Sequence, residues 1–407
     1  MVTLDGDSRS QARIRATYMR GGTSKGVFFD RDELPAAVRE AGALRDGFML
    51  RLLGSPDPYE RQIDGMGGAT SSTSKVVLVS RSERDDCDVE FLFGAVAIER
   101  PVVDWSGNCG NLTAAVGPFA IERGLVGAPA DGIATIRLWQ ANLGKRIHAR
   151  VAMRGGNVAE TGDFELDGVA FAAGEIQLDF LDPAGSGDDQ DEGAGALFPT
   201  GATRDVLDVD GLGPVEATLI DAGNPTVFVA AGAVGLTGTE SPTEVNGQPA
   251  LLARLEAVRA CGAVAMGLAG SVDEATHSRP ATPKVAFVAA PAAYRASSGR
   301  PVAAADVDLL VRIVSMGKLH HALTGTGAVA LGVAAAIDGT VVFPLTAGGR
   351  TTRAGHPSGI LRVGADVRRR GDGWAVAKVS LSRSARRLMD GWVFVPDGYL
   401  ASNGRGS

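Results

Sequence analysis

The sequence predicts an α+β fold in two similar halves, and three observations predict it. Ser106-Gly107-Asn108-Cys109-Gly110-Asn111 runs into the small-residue helix Leu112-Thr113-Ala114-Ala115-Val116. Leu323-Thr324-Gly325-Thr326-Gly327 runs likewise into Ala328-Val329-Ala330-Leu331-Gly332, with Cys109-Gly110-Asn111 aligned on Thr324-Gly325-Thr326 at an offset of 324 − 109 = 215 residues. A weaker repeat sets the turn and strand Gly22–Phe29 against Gly223–Val229, so turn plus strand and then Gly-loop plus helix occur in the same order twice. A helix that opens on a Gly-rich turn presents free backbone N–H groups and a positive dipole end. Two such ends facing one another across a cleft make a site for a multiply charged anion.

The elements follow in order. Ile14–Tyr18 and Gly26–Asp30 read as strands around the turn Arg20–Ser24, and Leu34–Ala41 and Asp46–Leu53 as short helices. Gly65–Ser74 is a Gly/Ser/Thr loop feeding the apolar strand Val76–Val79. Strands are expected at Val89–Phe93, Val96–Ile98, Ile133–Trp139 and Arg146–Ala152, with a helix at Asn111–Glu122 ended by Gly124. Ala184–Gly195 lacks apolar periodicity and reads as an acidic linker or surface loop. Beyond it come strands Val215–Asp221 and Thr226–Ala231, helices Gln248–Leu268 and Val307–Met316, and a strand between them at Lys284–Val288. Helix Gly327–Ile337 is apolar all round, so it should be buried inside a wrap of sheet. Strands near Val341, Gly359–Val363 and Trp374–Ser380 close the chain.

Composition narrows the function. At 407 residues the chain is long for one domain, which predicts two. Hydrophobic content of 45% against 21% charged predicts a packed globular protein. A net charge of −7 argues against nucleic acid as a partner, and an anion site must be locally positive against it. Cys87, Cys109 and Cys261 are widely spaced with no Cys/His cluster, as expected of a reduced cytoplasmic protein without a metal site. Met1 to Arg15 is polar and charged, which reads as neither a signal peptide nor an anchor, and no membrane span is expected.

Five ordered motifs carry a resemblance to a known family. They are Met19-Arg20-Gly21-Gly22-Thr23-Ser24-Lys25-Gly26-Val27-Phe28-Phe29, Asp64–Lys75, Asp104–Asn111, Met316–His321 and Gly355–Gly359. From about Ile14 to about Pro396 the chain resembles the PrpF family, the 2-methylaconitate cis–trans isomerases and their relatives. The resemblance implies a diaminopimelate epimerase-like α+β fold: two pseudo-symmetric domains, each a mixed sheet around a central helix, with the active site in the cleft between them. It implies a first domain of residues 1–186 together with about 376–407, a second of 196–375, and a linker at 187–195.

The resemblance also implies the chemistry. Epimerases of this fold use two cysteines, one per domain. Here Cys109 matches the first and Thr324 takes the place of the second, and a threonine hydroxyl is too weak an acid to replace a thiol. Lys75 and Cys109 become the catalytic pair instead. By position alone Lys75 is a solvated strand-end lysine and Cys109 a small buried residue. The motif match makes Lys75 a partly buried amine fit to take a proton, and a helix start favours the Cys109 thiolate. Thr23, Ser24, Ser72, Asn108, Gly110, Asn111, Gly325, Thr326, His356 and Ser358 are the expected substrate-binding residues. No third ligand accompanies His320-His321, which argues against a metal there. Cys87 and Cys261 have no expected role, and Arg368–Arg370 and Arg386-Arg387 read as solvated faces. The implied function is a cofactor-independent isomerase of unsaturated tricarboxylates, with 2-methylaconitate leading and aconitate, 4-oxalomesaconate and methylitaconate as alternatives. A non-catalytic accessory protein is the third reading. The implied partners are the small-molecule acid, an aconitase-like 2-methylcitrate dehydratase and a second copy of the chain.

Overall fold

The structure is a computed structural model that describes residues 11–184, 197–346, 348–371, 373–396 and 399. The expected linker at 187–195 lies outside the described residues. The first half opens with a hairpin of β1 (Gln11–Gly21) and β2 (Ser24–Asp30). Gly22 turns it at φ +51°, and a Cβ there would lie 2.5 Å from Asn111 Oδ1, so both dihedral and space demand glycine. Helix α1 (Ala43–Leu53) crosses over to β3 (Lys75–Arg81), which pairs in parallel with β2. β4 (Val89–Val96) is antiparallel to β3. Helix α2 (Gly110–Glu122) then crosses to β5 (Gly132–Gln140), parallel to β4, and β6 (Lys145–Arg154) and β7 (Ile176–Leu181) follow antiparallel.

The second half repeats this order. After β8 (Asp205–Val209), the hairpin of β9 (Gly213–Ala222) and β10 (Asn224–Ala230) corresponds to β1–β2. Helix α3 (Pro249–Ala265) crosses to β11 (Lys284–Ala289), parallel to β10, and β12 (Leu309–Ser315) is antiparallel to β11. Helix α4 (Gly325–Ala336) crosses to β13 (Thr351–His356), parallel to β12. β14 (Gly359–Arg370) and β15 (Gly373–Arg383) follow antiparallel. β15 also pairs with β7, which joins the two sheets, and β16 (Ala385–Pro396) returns to pair with β1.

Each sheet wraps its own helix. Every residue of α2 from Gly110 to Ala120 is buried, and so is every residue of α4 from Gly325 to Ala335. Alanine, glycine and valine keep both cylinders narrow enough for strands to close on all sides. The two helices meet end to end: a Cβ on Gly325 would lie 2.4 Å from the Gly110 carbonyl carbon, and one on Gly110 would lie 2.7 Å from Thr326 N.

Three expected elements are corrected. Val307–Met316 is the strand β12, not a helix; all seven residues Leu309–Ser315 are buried, and an apolar run covered on both faces has no period that separates strand from helix. Val341 is not in a strand, because Pro344 sits in a single helical turn at Phe343–Leu345 directly after it. The expected strand at Val96–Ile98 is only the last residue of β4. No helix among the described residues is long and apolar enough to cross a membrane.

Gly325→Ala is expected to lower folding stability by about 2 kcal/mol or more, since the clash is with backbone and cannot be relieved by a rotamer change. An unchanged urea midpoint for the variant would contradict the end-to-end packing.

Candidate active site

Where α2 and α4 meet, side chains from both halves line one narrow pocket. Ser24, Lys75, Ala95, Asn108, Cys109 and Asn111 come from the first half; Asn224, Lys284, Ser315, His320, Thr324 and Thr326 come from the second. The linings correspond across the repeat. Ser24 opens β2 as Asn224 opens β10, and Lys75 opens β3 as Lys284 opens β11. Cys109 is the N-cap of α2 and Thr324 the N-cap of α4.

The two caps differ in use. The Thr324 hydroxyl accepts a hydrogen bond from Gly327 N at 3.1 Å, whereas Cys109 makes no capping bond and its thiol lies 3.9 Å from Ser24 Oγ. Fewer backbone N–H groups are therefore free at the two helix starts than a Gly-rich opening suggests. Asn108 N donates to Asn224 Oδ1 at 2.9 Å, and Gly327 N is spent on its own cap.

Lys75 is buried, with its Nζ 4.9 Å from the centre of the Phe93 ring. Lys284 is also buried and donates to Ala281 O at 3.2 Å and Ser315 Oγ at 3.3 Å. Burial, reinforced by the Lys75 charge, pulls it down to about 8. Burial, with His321 and Lys75 beside it, holds His320 well below the usual imidazole range, so the ring is neutral near pH 7. His320 stacks on His321 at 4.6 Å, and its Nδ1 lies 2.8 Å from Ala322 O.

Two clamps hold the loops. Asn224 bridges the Asn108 backbone, accepting from its N and donating to its O at 3.0 Å. Asp104 takes Ser106 N at 2.8 Å and Ala281 N at 2.7 Å, which ties a first-half loop to a second-half one. Behind Cys109, the buried Arg383 donates to Asn111 Oδ1 at 2.9 Å, and Asn111 Nδ2 donates to Thr23 Oγ1 at 3.0 Å. Burial lowers Arg383 to about 10, partly offset by Cys109, so it remains a cation near pH 7.

The remaining expected residues divide. Thr23 and Ser72, together with Ser24, line an adjoining outer cavity with Arg20, Lys25 and Arg386. Gly110 and Gly325 pack backbone against backbone between the two helix ends and do not line the pocket. His356 and Ser358 line neither cavity. The His356 Nδ1 accepts from Ser358 N at 3.2 Å, burial pushes that imidazole down to about 3, and Ser358 Oγ donates to His321 O. They brace the His320–His321 corner. Sequence reasoning missed Lys284, Asn224, Ser315 and His320 as pocket residues. The repeat held the signal for Lys284, which starts its strand where Lys75 starts the equivalent one.

Fold and site together define an epimerase-like α+β protein with its reactive groups between two halves. A family model described as PrpF protein matches residues 11–396. The 2-methyl-aconitate isomerases of Shewanella oneidensis and Cupriavidus necator are each 57% identical, covering 95% of this chain and 98% of each relative. The crystal structure of methylitaconate-delta-isomerase aligns with a TM-score of 0.73 at 38% identity, over 98% of this chain and 99% of its own. A hydroxyproline epimerase from Agrobacterium vitis shares the fold, with a TM-score of 0.52 at 12% identity over 95% and 93% of the two chains. The chain belongs to the PrpF family, and it is an isomerase.

Iodoacetamide is expected to inhibit through Cys109 alone, and substrate should slow the reaction. Burial pushes the Cys87 thiol up to about 11 and also raises Cys261, and neither lines the pocket. Mass spectrometry of the inhibited enzyme checks this; inactivation with Cys109 unmodified would refute it.

Proposed function

We propose that the protein is a cofactor-independent isomerase of unsaturated tricarboxylates and that its substrate is 2-methylaconitate. The observation that carries this is the placement of Lys75 and Cys109 in one buried pocket where two helix N-termini converge. An aconitate-like acid has a methylene between a carboxylate and an alkene. Loss of its proton gives a dienolate, and the added charge spreads onto a carboxylate. The Lys75 amine takes the proton, and the positive helix ends favour the developing anion. Returning the proton to the same carbon after bond rotation changes cis to trans. Delivering one from the Cys109 thiol to the other end of the allyl system moves the double bond instead, and the proton held on Lys75 then passes to the thiolate through solvent to restore both groups.

The second reading is the same chemistry on another acid, favoured by the structural likeness to methylitaconate-delta-isomerase. The accessory-protein reading is disfavoured, because Lys75 and Cys109 share the pocket. The wider proposal places the enzyme in the cytoplasm, where an aconitase-like dehydratase acting on 2-methylcitrate would supply or consume an acid of this class. It divides the chain into domains of 1–186 with about 376–407, and 196–375. A homodimer is supported by the exposed Leu388, Met389, Trp392 and Phe394 on β16.

The test is incubation with each acid in deuterated water, followed by proton NMR. The expected result is fastest conversion of 2-methylaconitate, with deuterium entering the methylene. A wild type that converts none of the four acids refutes the proposal. Lys75→Met should lose at least about 10²-fold in rate, and Lys75→Arg should fail too, because guanidinium stays protonated. Normal turnover by a folded Lys75→Met removes Lys75 as the base. With Thr324 serving as a helix cap, the wild type should not racemise proline, and Thr324→Cys should leave the native rate within about threefold.

A further inference from the structure

The chemistry above gives Lys284 no part, yet its surroundings are built for an anion. Lys75 and Lys284 occupy equivalent places in the two halves. Each opens a strand that runs parallel to the strand before it, in the registers Val27↔Val76 and Thr226↔Lys284. The symmetry of the halves brings both to one pocket. Lys284 Nζ bonds Ala281 O and Ser315 Oγ and makes no ion pair among the described residues. Asp104, the carboxylate that acts on it, is already engaged by Ser106 and by Ala281 N. An ammonium has three donors, so two bonds leave one N–H for the pocket. A buried cation without a carboxylate is costly until an anion arrives.

We propose that Lys284 is a second catalytic lysine, whose ammonium donates to the substrate carboxylate conjugated with the methylene and holds the charge of the dienolate that Lys75 generates. This rests on the isomerase reading above. In the step, the methylene C–H bond breaks and its proton forms an N–H bond on the Lys75 amine. The electron pair enters the conjugated system and ends on the carboxylate oxygens. Lys284 keeps its proton throughout, and re-protonation of carbon from Lys75 restores the amine.

Lys284→Met and Lys284→Arg test this on whichever acid the wild type isomerises. Lys284→Met should melt at or above the wild type at neutral pH, because it removes a buried charge that has no carboxylate partner. Methylene exchange in deuterated water and isomerisation should fall together, by at least about 10²-fold. The groups facing Lys284 are Lys75, Cys109, Asp104, Arg259 and His320. Wild-type kcat/KM should fall above pH 8 as Lys284 loses its proton. Lys284→Arg, permanently charged, should be more active than Lys284→Met and keep its activity to higher pH.

A Lys284→Met turnover within about threefold of wild type would overturn the proposal. So would exchange that persists while isomerisation falls, a marked loss of melting temperature in the Met variant, or an Arg variant less active than the Met one. A wild type inactive on every acid defeats the isomerase reading instead, which keeps the two failures apart.

Discussion

The contact between Gly110 and Gly325 is the constraint on which the rest depends. Two buried helices from different halves meet at their N-termini with backbone against backbone. Both ends carry partial positive charge, so the meeting is unfavourable by itself. It persists because each helix is locked in its own sheet by an apolar surface that has nowhere else to go. The result is a fixed concentration of positive potential in a chain whose formal charge is −7. Lys284 and Arg383 add to it from two different strands. Such a centre favours a small anion over a cation.

The same duplication explains why the site is asymmetric where chemistry demands it. Both halves present a strand-end lysine, and both present a helix cap. The caps then diverge. In α4 the threonine oxygen closes on Gly327 N, as a capping residue does, and becomes structural. In α2 the cysteine makes no capping bond, so its sulfur stays available beside Ser24. One thiol and two lysines in one pocket are the groups that the proposed proton removal from an acidic methylene draws on.

Much of the fold was legible in the sequence, and the reasons are local. The Gly22 turn, the Val- and Phe-rich strands around it, and the small-residue helices all announce themselves in runs of a few residues. The misreadings are also local in origin. β12 carries Leu-Leu-Val-Arg-Ile-Val-Ser, an apolar run that fits a buried strand and a buried helix equally well. Only its antiparallel partner β11 decides between them. His356 and Ser358 stand in a motif that looks like a binding rim, yet their polar atoms are used on each other and on His321.

The sequence by itself determined that there are two related halves, that each has a buried helix opening on glycines, and that Lys75 and Cys109 are the reactive side chains to consider. The halves and their helices follow from spacing and residue type, which are properties of short segments; Lys75 and Cys109 follow from the resemblance of the motifs around them to a known family. Tertiary structure decided which N–H groups remain free, because Asn224 and Thr324 claim theirs across the interface or at the cap. It also decided that Lys284 belongs to the site. From position alone Lys284 is one more strand-end lysine. It becomes a pocket group because the two halves are packed end to end, and that packing depends on glycines far away in the chain.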